Sequence, residues 1–82
     1  MSTTAILFRI YPKEGMLDKV MQNIRKALNP VGMQSEDIAF GIKTVKVLFK
    51  FDDEKTGSSS IEKSLKGVEG VDEVEVLEES LV

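Results

Sequence analysis

Apolar positions alternate along three stretches of this chain and recur at helical spacing along two others. In residues 5–11, AILFRIY, Ile6, Phe8 and Ile10 share one face of an extended strand, and Arg9 and Tyr11 lie on the other. Pro12 and Gly15 interrupt the strand. Met16, Leu17, Val20, Met21, Ile24, Ala27 and Leu28 then recur every three or four residues between Asp18, Lys19, Gln22, Asn23, Arg25 and Lys26, which is the stripe of an amphipathic helix. Asn29-Pro30 closes that helix, because proline disfavours helical geometry in the residue before it.

Residues Met33 to Ile38 alternate poorly, interrupted by polar and charged side chains, and read as a short edge strand. From Thr44 the alternation is regular: Val45, Val47, Phe49 and Phe51 point one way and Thr44, Lys46, Leu48 and Lys50 the other. Asp52 to Gly57 reads as a turn, and Ser59 stands three residues before Glu62, the spacing of a capping box. The short helix that follows has Ile61, Leu65 and Val68 as its buried stripe and Gly67 as its C-terminal cap. Val71 to Leu77 returns to period two, with Val74 and Val76 inward and Glu73 and Glu75 outward.

The resulting order is strand, helix, strand, strand, helix, strand. It predicts an α+β, ferredoxin-like βαββαβ sandwich with a four-stranded antiparallel sheet and both helices on one face. The other face carries Leu7, Arg9, Tyr11, Lys46, Leu48 and Lys50 toward solvent or a partner. Residues 1–82 read as a single domain without internal repeat or linker.

Composition narrows the functions open to such a domain. There is no cysteine and no histidine, which removes disulfides, thiolate chemistry, a histidine base and most zinc or copper sites. The apolar run before Arg9 is too short for a secretory leader or a membrane span, so the expected location is cytoplasmic, with no membrane partner. A net charge of -3, much of it in EGVDEVEVLEES, argues against a phosphate backbone as the main partner. Asp52-Asp53 and Glu78-Glu79 are adjacent pairs whose members point apart on a strand or are solvated in a turn, which is unsuited to acid-base or metal chemistry. GVEG lacks the lysine-serine continuation of a phosphate-binding loop.

The residues themselves thus describe a small single-domain protein that binds something with its sheet face and loops, with no readable catalytic or cofactor signature. RNA recognition is an alternative on this fold, although Tyr11 is the one aromatic available to stack from the open face. A small-ligand-binding regulatory domain is another, without a readable signature. One position stands apart: Phe40, a large apolar residue beside Gly41 where the chain should turn, is either folded under the second helix or pushed into something else.

The segment Ile38-Ala39-Phe40-Gly41-Ile42, running into a regular strand, and the later Gly67-Val68-Glu69-Gly70-Val71, together resemble archaeal translation elongation factor 1-beta over essentially the whole chain. The first motif also resembles the guanine-exchange domain at the C-terminus of the eukaryotic factor. The resemblance implies a guanine-nucleotide exchange factor for elongation factor 1-alpha, the GTPase that carries aminoacyl-tRNA, with no direct nucleic acid contact. It implies that Phe40, flanked by Ala39 and Gly41, presses into the GTPase, with Lys43, Lys46 and Lys50 as candidate contacts; either the terminal Leu81 and Val82 disturb the nucleotide site in another way, or exchange relies mainly on the Phe40 loop and the sheet. Eukaryotic members carry a lysine near the C-terminus, placed by the nucleotide's magnesium. This chain instead ends Glu78-Glu79-Ser80-Leu81-Val82 and has no ammonium there to repeat that role.

Overall fold

The computed structural model describes residues 3–52 and 57–81. Strand β1 (Thr3–Pro12) leads to helix α1 (Leu17–Leu28), then to β2 (Gly32–Asp37), β3 (Lys43–Asp52), helix α2 (Ser58–Lys66) and β4 (Val71–Leu81). The strands form one sheet in the order β2-β3-β1-β4, every neighbouring pair antiparallel, which is the ferredoxin-like arrangement.

The two strands with unbroken alternation take the two central places. Their register sets Ile6 opposite Phe49, Phe8 opposite Val47 and Ile10 opposite Val45, so one face of the sheet is continuously apolar. Val20 and Ile24 of α1 and Ile61 and Leu65 of α2 complete a buried core on that face. The Phe8 and Phe49 rings meet edge to face, 5.9 Å between centroids. Each such side chain contributes about 1.5 to 3 kcal/mol by leaving water, so these ten residues carry the stability of a chain too short for a larger core.

Several expectations are corrected at the periphery. Ala27 falls on the exposed side of α1, because the bundle needs the Val20–Ile24 line and Leu28 already closes it. Thr44, expected to point to solvent, lies on the open face but is fully buried, its hydroxyl donating to the Glu36 carbonyl at 3.3 Å. The capping box does not form: α2 starts at Ser58 with Gly57 as N-cap, so Ser59 lies inside the first turn, where its hydroxyl is no longer at the capping position. Most of the preceding turn, residues 53–56, lies outside the described residues.

Gly67 does end α2, but in right-handed geometry, its N–H shared between the Lys63 and Ser64 carbonyls at 3.2 Å each. The glycine that matters is Gly70, with φ of +92° and no room for a side chain: a Cβ there would lie 2.9 Å from Met16 Cε and from Val20 Cγ2. Strand β4 continues past Leu77 to Leu81. It pairs Glu78 with Leu7 and Val76 with Phe8, leaving Leu77 as the extra residue of a bulge. Val74, opposite Ile10, packs on the core. Val76 shares its face but stays 44% exposed at the rim of the sheet.

Candidate functional site

The connection between β2 and β3 is a tight hairpin. Ile38 N–H donates to the Ile42 carbonyl at 2.8 Å, and Ile42 N–H donates to the Ala39 carbonyl at 3.4 Å. Within it Phe40 has φ of 65° and ψ of 27°, and Gly41 has φ of 72°. Positive φ at both central residues is the requirement of a type I′ turn, whose twist matches that of the flanking strands and whose usual occupants are asparagine, aspartate and glycine. Gly41 meets that requirement without strain.

Phe40 does not. A residue with a Cβ in left-handed geometry costs about 1 to 2 kcal/mol, because the Cβ crowds the following carbonyl. Its ring is also 99% exposed, so it gains nothing from burial. A phenylalanine folded beneath α2 is therefore ruled out. Two local rules are broken at one position, with no compensation among the described residues. Ile42, 48% exposed, adds apolar area next to it. A shallow concavity opens beside the tip, lined by Pro12, Lys13, Gly15, Leu17, Gly41 and Ile42.

Behind the hairpin, the open face of the sheet is organised by charge. The register aligns Gln34, Lys46, Arg9 and Glu75 in a row across all four strands, with Glu36 diagonal to the two cations. Lys46 Nζ lies 3.2 Å from Glu36 Oε2, Arg9 Nη2 lies 3.5 Å from Glu36 Oε1, and Arg9 Nη1 lies 3.6 Å from Glu75 Oε1. The Arg9 guanidinium is held above its already high ordinary pKa, first by a hydrogen bond to Tyr11, with the charges of Glu36 and Glu75 adding to it and desolvation opposing. It stays cationic at any working pH. Leu7 and Leu48 face each other, half-buried, one step along the same face.

The residues singled out from the sequence fall into three places. Ala39, Phe40 and Gly41 form the tip itself, with Lys43 exposed at its base, opposite Asp37. Lys46 and Lys50 share the open face, where Lys46 is tied to Glu36 while Lys50, opposite Ala5, is exposed. Leu81, 71% exposed, pairs with Thr4 at the far end of β1, whereas the hairpin lies beyond Ile10 at the other end. The run from Thr4 to Ile10 alone spans about 20 Å at 3.4 Å per residue, so the tip and the terminal strand do not form one patch. Val82 lies outside the described residues. Ile42, Arg9 and Glu36 were missed by sequence reasoning. An isoleucine just after the turn glycine, before the alternation of β3 starts, was the available signal for the first. Nothing in the chain order hints that Arg9 and Glu36 meet.

Among the described residues, no group of three histidine, cysteine, aspartate or glutamate side chains is placed to hold a metal ion, and no helix is long and apolar enough to cross a membrane. An exposed, strained aromatic on a hairpin tip, backed by a charged sheet, is suited to being received by another macromolecule's pocket. Fold and tip together define a small ferredoxin-like domain that displays an aromatic side chain at a hairpin tip. The chain belongs to the EF-1 guanine nucleotide exchange domain family, whose model matches residues 5–81. It is similar to elongation factor 1-beta of Aeropyrum pernix, 34% identical over 93% of this chain and 92% of that protein. The proteins of the same name from Ignicoccus hospitalis, 37% identical over 87% of this chain and 83% of theirs, and from Methanococcus maripaludis, 36% identical over 85% and 75%, are similar to it as well.

Proposed function

We propose that residues 1–82 act as one exchange domain that binds elongation factor 1-alpha and promotes replacement of its GDP by GTP. The factor makes and breaks no covalent bond and uses no cofactor. It favours a state of the GTPase whose nucleotide site is distorted. Phe40 carries this reading: a side chain strained and exposed in the free factor gains most from a pocket on the partner.

The magnitudes say what Phe40 must share. A nucleotide held at nanomolar affinity is bound by about 12 kcal/mol, while burying one aromatic supplies about 1.5 to 3 kcal/mol. The tip therefore biases the distorted state and the wider interface supplies the remainder. Ala39 and Gly41 accompany the ring, Lys43 and Lys50 offer free ammonium groups, and Lys46 contributes through a charge it shares with Glu36. Leu81, at the other end of the sheet, would meet a different part of the partner's surface. Because linkage is reciprocal, a factor that weakens nucleotide binding is weakened equally by nucleotide, so incoming GTP expels it.

The test is release of a fluorescent GDP analogue from elongation factor 1-alpha, with excess unlabelled nucleotide, as the factor is titrated in. A saturable acceleration of tenfold or more, about 1.4 kcal/mol off the barrier, is the expected result. No acceleration by a folded factor would overturn the reading. RNA binding is disfavoured by Glu36 and Glu75, which neutralise the cations nearest Tyr11. A steep fall in RNA affinity with salt, lost on Lys50→Glu, would revive it.

A further inference from the structure

The hairpin that displays Phe40 is weakly held by packing. Strand β2 fully buries none of its six residues, Met33 alone packs against the core, and the strand has a neighbour on one side only. A strained tip persists only where its surroundings over-determine it. On so thin an edge strand, that support must come from elsewhere.

Glu36 is the residue placed to supply it. Its two carboxylate oxygens take Lys46 and Arg9 separately, and its carbonyl accepts the buried Thr44 hydroxyl, so side chain and main chain are both pinned to the sheet. Arg9 is anchored in the central strand and sends its other Nη1 to Glu75 on β4, so the network ties the hairpin across the whole sheet. The two arms of one guanidinium straddle carboxylates on opposite sides, which a lysine cannot do. Ile38, whose N–H closes the hairpin onto Ile42, follows two residues later.

Building on the exchange reading, we infer that Glu36, held by Arg9 and Lys46, is a positioning residue that keeps the β2–β3 hairpin closed and Phe40 presented in its left-handed conformation. A loosened hairpin lets Phe40 relax to ordinary backbone geometry, and the partner must then order it again at binding, which lowers affinity without changing the contact itself. Half-exposed ion pairs contribute little to global stability. The clamp therefore acts locally.

Glu36→Gln in the full chain separates this role from a merely structural one. Amide hydrogen exchange at Ile38 and Ile42 is expected to speed up roughly tenfold while amides of β1 keep their protection. Affinity for elongation factor 1-alpha is expected to fall roughly three- to tenfold with the plateau release rate unchanged, and that fall is expected to vanish in a Phe40→Ala background, as coupling through Phe40 requires. Arg9→Lys is expected to show part of both effects, and it repeats the test should Glu36→Gln fold poorly. Unchanged hairpin exchange, or an equal affinity loss in the Phe40→Ala background, would overturn the inference. Should the wild-type factor not accelerate GDP release, the exchange reading falls, and hairpin exchange still decides whether the clamp exists.

Discussion

Two glycine-bearing turns carry the family resemblance, IAFGI at residues 38–42 and GVEGV at residues 67–71, and the structure puts them to opposite uses. Both contain a glycine at positive φ, Gly41 at 72° and Gly70 at 92°. Around Gly41 a Cβ would meet nothing within 4 Å, whereas around Gly70 it would strike Met16 and Val20 at 2.9 Å. The second turn is constrained from inside, by α1 packed against it. Around the first the space is open, its hairpin is held by backbone hydrogen bonds and the ion pairs of Glu36, and the side chain it displays is aimed away from the molecule. Two turns equally recognisable as motifs can thus differ in what surrounds them, packed side chains in one case and open space in the other. The space around the glycine tells them apart.

Substitutions at the two turns should separate accordingly. The largest effect is expected for Gly70→Ala, which combines overpacking with left-handed strain and should destabilise the fold by about 2 to 4 kcal/mol. In a domain of this size that lowers the melting temperature by more than ten degrees or so, read by thermal or urea unfolding. An unaltered melting temperature would show that Met16 and Val20 give way and that the contrast is overstated. Phe40→Ala comes next and should weaken binding to elongation factor 1-alpha by about 1.5 to 3 kcal/mol with no loss of stability. If it melts early instead, Phe40 belongs to the fold and the two turns are alike.

Smaller effects sharpen the distinction. Phe40→Asn suits left-handed geometry and should raise stability by up to about 1 kcal/mol while exchange activity is lost, opposite signs that mark a residue retained against the interest of the fold. Gly41→Ala meets no clash and should cost about 1 kcal/mol, through backbone strain alone, less than half the loss at Gly70. Gly41→Ala and Gly70→Ala costing equally would remove the internal constraint as the distinguishing feature.

The open face shows where reading the chain stopped short. Arg9 was visible as a polar interruption on the outer face of β1, and Lys46 as a repeated lysine of β3 and a candidate contact, but nothing showed that the two share a partner within the sheet. Their common partner Glu36 sits on β2, the strand with the poorest alternation, so its facing could not be inferred from period two. Thr44 escaped for the same reason: its burial depends on β2 lying beside it. Phe40 was legible as an anomaly from the first, since an apolar aromatic beside a turn glycine has two possible destinations. Only its exposure and its φ chose between them.

The amino-acid sequence was enough for the main helices and strands and for their order along the chain. Those follow from backbone periodicity, which each segment expresses without reference to any other. The inward faces of β1, β3 and both helices belong with them, because burying apolar surface is the dominant gain open to so short a chain. Everything that depends on two segments meeting emerged in the folded molecule: the order of the strands, the ion pairs at Glu36, the crowding at Gly70, the bulge that carries β4 on to Leu81, and the separation of Leu81 from the Phe40 tip. Register and packing are properties of pairs, and no single stretch of the chain contains them.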